Sequence, residues 1–184
     1  MAEQKDFADI KLELLSLDDA EQLLTFELEN KGWFETYIPP RDQEFYSNEG
    51  VQTHIEHFLL EYKCHQLLPL IIKTSIGTIA GRLNFTNVDL RKGTAHVGYR
   101  VGKAFTRKGI AKRALARGMF VLKERGIKRI FAYAEVNNMA SQKVLTSNGF
   151  TKVRVVEDYG KLHGQSIDCI EYTCVLKNAN RLFL

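Results

Sequence analysis

The chain has 184 residues, 45% of them apolar, and carries 26 Lys or Arg against 22 Asp or Glu, a formal charge of +4. That length suits one compact domain with a sizeable core, and the overall charge is mild. No apolar run approaches the roughly 18 residues of a membrane helix, and the opening MAEQKDFADIKLE lacks the cationic-then-apolar order of a secretory signal; a cytoplasmic protein without membrane association is expected.

In chain order, residues 10–15 alternate weakly and read as a first strand. Ser16, Leu17, Asp18 and Asp19 then offer a cap for an amphipathic helix to about Glu29. Residues 30–40, NKGWFETYIPP, are broken by glycine and closed by two prolines, which reads as a loop with large apolar side chains. Either it plugs the core edge, or Trp33, Phe34 and Tyr37 form one wall of a substrate groove. A second helix fits residues 51–65, with Val51, Ile55, Phe58, Leu59 and Tyr62 on one stripe. His54, His57, Cys64 and His65 fall on or beside that helix and read as a solvated face, not a metal cluster. Cys64, Cys169 and Cys174 are odd in number and widely spaced, so they read as buried thiols and not as a disulfide framework or zinc site.

Residues 67–74 and 78–86 should pair as a hairpin, with 94–101 as the next strand. A helix over 110–125 follows, with Ala111, Ala114, Leu115, Gly118 and Leu122 on its apolar stripe and Gly126 as its stop. The strand over 130–136 then closes a strand–helix–strand unit, which requires parallel pairing with 94–101. A short helix over 140–148, ended by Gly149, precedes two closing strands at 152–156 and 167–176, and 178–184 form a tail. The fold class is therefore α+β (α/β): a mixed, mostly antiparallel sheet with one parallel pair and helices on its faces.

Charge is uneven along this frame. Between Lys103 and Arg129 there are ten Lys or Arg and one acid, Glu124. Inside that stretch Gly109 lies where strand hands over to helix. A helix start offers unpaired N–H groups and about half a positive charge, and a residue without Cβ lets phosphate approach them. A P-loop or a dinucleotide fingerprint would need glycines and a Lys-Ser/Thr pair that are absent here. The helix runs on into a strand, so no helix-turn-helix forms and specific DNA binding is not expected.

The stretch YRVGKAFTRKGIAKRAL, residues 99–115, resembles the acetyl-CoA loop of the GNAT superfamily of N-acetyltransferases, with Thr106 where Gln or Arg is usual. NNMASQKVLTSNGF, residues 137–150, resembles the same family's Asn-x-x-Ser helix with its Gly-Phe ending. The likeness spans about residues 10–176 of a single 1–184 domain and fits best the RimJ/RimL-type branch of ribosomal-protein N-terminal acetyltransferases. Ala95-His96-Val97-Gly98-Tyr99 matches that branch's Ala-Glu-Ile-Gly-Tyr strand, with His96 in place of Glu. Gly164-Gln165-Ser166-Ile167-Asp168 matches its Gly-x-Trp-x-Asp, with Ser166 in place of Trp.

This resemblance implies a parallel pair splayed to admit acetyl-CoA, the cosubstrate, with no metal. It implies pantetheine and carbonyl contacts from the backbone of Tyr99, Arg100 and Val101, and pyrophosphate contacts from Arg107, Lys108, Gly109, Ile110, Ala111 and Lys112. Asn138 would hold the pantetheine arm, and Ser141 would protonate the departing sulfur. Acetyl transfer also requires a neutral amine. Deprotonating a lysine at neutral pH costs roughly 3.5 kcal/mol more than deprotonating an α-amine, so an N-terminal substrate needs only a mild base. His96 and Glu135 are the two candidates, each with an ordinary structural role as its alternative. The expected acceptor is a protein N-terminus, ribosomal protein included; a small amine such as a polyamine or aminoglycoside, or a noncatalytic acyl-CoA or RNA binder, are the competing readings. The protein is expected to act as a monomer or homodimer.

Overall fold

The computed structural model describes residues 9–177, so the tail expected over 178–184 and most of the opening segment lie outside the described residues. Strand β1 (Ile10–Leu14) leads through a turn into helix α1 (Ala20–Glu35), followed by α2 (Asn48–Lys63), β2 (Leu68–Thr74), β3 (Ile79–Asp89) and β4 (Thr94–Val101). Helix α3 (Ile110–Glu124), β5 (Arg129–Glu135), α4 (Met139–Thr146), β6 (Thr151–Leu162) and β7 (Gln165–Val175) complete the chain. The strands form one sheet in the order β1-β2-β3-β4-β5-β7-β6.

The expected antiparallel start and the parallel β4–β5 pair are both present. That parallel ladder is short, joining Thr94 to Arg129 and ending at Val97 with Ala132. Beyond it β4 and β5 diverge while β4 stays paired to β3 through Val101, which leaves a wedge between the two central strands. β7 sits between β5 and β6, and its antiparallel ladder with β5 extends from Arg129 to Glu135.

Side-chain alternation divides the sheet into two faces. On one face Leu83, Phe85, Ala95, Val97 and Ile130 pack with Leu115 and Leu122 of α3 in a single core. Helix and sheet approach closely there: a Cβ on Gly118 would lie 2.6 Å from Leu83 and 2.8 Å from Phe85. On the other face Ile71 and Ile79 pack with Leu23, Phe26 and Phe34 of α1 and Val51 and Ile55 of α2.

The region expected to be a loop from Asn30 is instead the last turn and a half of α1, which continues to Glu35. Gly32 does not stop it, because Phe34 at 6% exposure anchors that turn in the second core. Burying one phenylalanine contributes roughly 1.5–3 kcal/mol, against a helix penalty for glycine of about 1 kcal/mol. Phe34 is therefore a core residue and not part of a substrate wall. Cys64, expected to be buried, is exposed, whereas Cys169 and Cys174 are buried. The histidine-bearing face of α2 is not wholly solvated either. His54 lies against Phe58 at 4.0 Å between ring centroids, with its Nε2 2.9 Å from Arg82 Nη2.

Because guanidinium can only donate, His54 Nε2 must accept. Burial first, and then the Arg82 charge, lower its pKa to about 3. The unfolded chain takes up this proton near pH 6.5, while the folded protein refuses it until about pH 3, so stability is lost as pH falls through that window. Chemical denaturation of His54→Gln should show a shallower decline between pH 7 and 4.5 than the parent; parallel curves would remove His54 from the acid response.

Candidate active site

The wedge is lined by main chain. Gly102 N–H bonds the Ala80 carbonyl, which fixes the phase of β4: Gly98 and Arg100 turn their amides and carbonyls toward β3, and Tyr99 and Val101 turn theirs toward the gap. Of the three expected backbone contacts, the Tyr99 main chain and the Val101 amide are thus available for a ligand in the wedge. The Arg100 main chain is committed to its partner Arg82 across the β3–β4 ladder. The Val101 carbonyl is already taken, since Trp33 Nε1 donates to it at 3.2 Å. Trp33, expected on the acceptor wall, thus caps the open edge of β4. Tyr37 packs edge-on against its ring at 5.3 Å.

At the mouth of the wedge the chain turns into α3. Gly109 is the cap, in the left-handed region at φ 70, and Arg107 shares that conformation at φ 60. Two such reversals separated by one residue, Lys108, point backbone N–H groups into one concavity, a geometry suited to phosphate. A Cβ on Gly109 would stand 2.9 Å from Arg113 Nη1. Lys108, Arg107 and Lys112 are exposed around the loop and Ile110 is buried beneath it, so Ile110 contributes its amide and an anchor, with Ala111 half-buried beside it.

Across the wedge, Asn138 caps α4 by accepting from Ser141 N–H at 3.1 Å. Its oxygen is occupied, which leaves its amide nitrogen for a ligand. Ser141 Oγ lies 3.1 Å from the Tyr99 hydroxyl, and that hydroxyl also donates to the Ser141 carbonyl at 3.1 Å. Burial is the main cause that raises the Tyr99 pKa to about 12. Tyr99 therefore stays protonated throughout the physiological range and can act as a donor. Pairing across the gap from β4 to α4 was not foreseen from the sequence, where Tyr99 counted only for its backbone.

The opposite mouth of the wedge belongs to His96, Gly98 and Arg100, which alternation sets on the face away from α3. Gly98 is exposed, and a Cβ built on it would meet nothing within 4 Å. His96 lies 5.4 Å from Phe131 and is stacked on Tyr133 at 6.0 Å, and Tyr133 stacks on Tyr159 at 4.8 Å. This aromatic row was missed. Its signal is the pattern Phe131, Ala132, Tyr133, Ala134, large residues on one face and alanines on the other. Glu135, the other candidate base, folds back on its own turn, accepting from Asn137 N–H at 3.0 Å and Asn137 Nδ2 at 2.9 Å. At the far end of the cleft His163, at the β6–β7 tip, reaches the Glu35 carbonyl at 2.7 Å, joining that hairpin to the end of α1.

Residues 9–151 match the model of the Acetyltransferase (GNAT) domain family. The chain belongs to the GNAT acetyltransferases. Acetyl-CoA is the cosubstrate of this family, and the open ladder, the left-handed glycine and the basic rim all fit it. Among curated proteins the chain is 31% identical over 99 residues to the uncharacterized N-acetyltransferase p20 of Bacillus licheniformis, a match covering 53% of this chain and 56% of that protein. The chain thus spans about half the length of that relative. Among solved structures it resembles the microcin C7 self-immunity acetyltransferase MccE in complex with acetyl-CoA and AMP, with TM-score 0.83, 28% identity and coverage of 91% and 93% of the two chains. It also shares its fold with the RimL ribosomal L7/L12 α-N-protein acetyltransferase in complex with coenzyme A, with TM-score 0.84, 24% identity and coverage of 91% and 94%. Among the described residues no helix is long and apolar enough to cross a membrane, and no group of three metal-ligating side chains comes together.

Proposed function

We propose that this enzyme acetylates an α-amine, with His96 as the base and the Tyr99–Ser141 hydroxyl pair as the acid. The observation that carries the reading is the arrangement of the wedge: a base on one side of β4, a protonated hydroxyl pair on the other, and the side-chain-free Gly98 between them. Acetyl-CoA supplies the acyl group. His96 accepts the proton from the attacking nitrogen, and the unpaired amides of β4 are placed to donate to the developing oxyanion. As the carbon–sulfur bond breaks, Ser141 passes a proton to sulfur, and the Tyr99 hydroxyl, by turning its single proton from the Ser141 carbonyl to Ser141 Oγ, is placed to replace it, regaining one from solvent. Asn138 and the loop from Arg107 to Lys112 hold the coenzyme, and Trp33 fixes the strand edge they face.

An α-amine is favoured over lysine because a lone imidazole suits an amine that ionises near pH 7.7 to 8.0 and not one near 10.4. The fold shared with RimL makes a ribosomal protein N-terminus the natural acceptor to try, and such an acceptor would place the enzyme in the cytoplasm. MccE, crystallised with AMP, supports a second reading, a small amine attached to a nucleotide. Coenzyme A release should be followed with acetyl-CoA and a panel of N-terminal peptides, aminoacyl nucleotide analogues, polyamines and aminoglycosides. Turnover of polyamines alone overturns the proposal.

Ser141→Ala should lower kcat by about tenfold while leaving acetyl-CoA affinity within twofold, since the proton is delivered only as sulfur leaves. Tyr99→Phe should behave likewise if the two hydroxyls act as one unit, and the double variant should then be no worse than either single one. Equal loss of rate and affinity would reduce Ser141 to a cap residue.

A further inference from the structure

On the acceptor side of β4, three guanidiniums converge on one carboxylate. Glu27 of α1 is 1% exposed and lies 3.3 Å from Arg82 Nη1, 3.3 Å from Arg100 Nη1 and 3.8 Å from Arg41 Nε. The arginines are held flat on aromatic rings: Arg41 over Phe45 at 4.2 Å, Arg82 over Phe58 at 5.3 Å and Arg100 over Phe34 at 5.1 Å. His54 adds no negative charge. Glu35, whose charge reaches Tyr46 as Glu27 and Arg41 do, is a second carboxylate nearby, with one oxygen buried and unpartnered, so three guanidiniums still face two carboxylates.

A carboxylate can satisfy one guanidinium through a bidentate pair, but Glu27 makes a bidentate pair with none of them. Arg41 Nε, Arg82 Nε and Glu27 Oε2 are all buried without a hydrogen-bond partner. Uncompensated charge and unused donors are costly in a low-dielectric site. A purely structural ion pair would need one arginine, not three.

The surplus sits beside the cleft. Arg100 follows Gly98 by two residues on the same face, about 6.6 Å along a strand, and side-chain exposures of 17% for Arg100 and 24% for Arg41 leave both reachable. We infer that the acceptor carries a negatively charged group within a few bonds of its amine, received by Arg41 and Arg100 at the rim of the cleft. This rests on the α-amine reading above and narrows it to two sources of the same chemistry: a peptide with an acidic residue at its second position, or an amino acid linked to a phosphate.

The test uses three peptides that differ only in Asp, Asn or Lys at position two, together with an aminoacyl sulfamate as a stable stand-in for an aminoacyl phosphate. Binding is measured calorimetrically with coenzyme A present, and kcat/KM with acetyl-CoA. The parent should favour Asp over Asn at least tenfold in binding and turnover, with Lys poorest, and in Arg41→Gln the Asp-to-Asn ratio should fall below about threefold. Arg41→Lys should restore part of it. A sulfamate that outcompetes every peptide identifies the phosphate-linked source. Equal binding of Asp and Asn peptides by the parent, with the sulfamate no tighter, overturns the inference even if all are acetylated. Tight, charge-selective binding without any acetylation would overturn the α-amine reading instead and leave the anion site standing.

Discussion

Gly109→Asp should weaken acetyl-CoA binding at least tenfold, equivalent to about 1.4 kcal/mol, and by considerably more if the loop closes on the pyrophosphate as tightly as its backbone suggests. Two effects act together. A side chain at φ 70 is disfavoured, and its Cβ would stand 2.9 Å from Arg113 Nη1, displacing a cation from the rim of the concavity. The carboxylate also adds negative charge where the loop must accept it from phosphate. Gly109→Ala separates the contributions, retaining the steric and conformational part without the charge. Calorimetric titration of acetyl-CoA into folded variants, checked by circular dichroism, gives the comparison. Unchanged affinity in Gly109→Asp would remove this loop from the coenzyme site.

The loop was readable in the sequence because its demands are local: a glycine at a strand-to-helix junction, flanked by cations, states its own conformation. The parallel pair was readable for a similar reason, since a crossover helix leaves one handedness and one direction. What the sequence did not reveal depends on partners far apart along the chain. Residues 30–35 look like a loop by composition, yet Phe34 is drawn into the core and the helix follows it. Trp33 reads as a substrate contact because its partner, the Val101 carbonyl, lies 68 residues away. The cluster at Glu27 is assembled from α1, the segment before α2, β3 and β4, and no window of sequence contains it. Tyr99 was noticed for its backbone and not its hydroxyl, which needs α4 to be placed before it has a partner.

His96→Gln should cost about a hundredfold in kcat/KM for an N-terminal peptide, at the lower end of what general-base catalysis contributes, with acetyl-CoA affinity little changed. The geometry behind this is the strand phase. His96 lies on the acceptor face of β4 at the last ladder residues before the wedge, one residue short of Val97, where pairing with β5 ends. Its contacts to Phe131 and Tyr133 fix the ring plane without occupying a ring nitrogen. Glu135 is a poorer base because both of its oxygens already accept from Asn137. His96→Glu should recover much of the lost rate, since a carboxylate on the same strand position can also relay a proton through water. The substrate amine itself ionises near pH 7.7 to 8.0 and produces its own rise in rate with pH, so parent and variants must be compared on one peptide. With His96 as the base, His96→Gln should change the shape of that rise as well as its height. If His96→Gln instead keeps the parent's rate and pH profile, the ring is only a member of the aromatic row. The proton must then leave through water held at the exposed edge of Gly98.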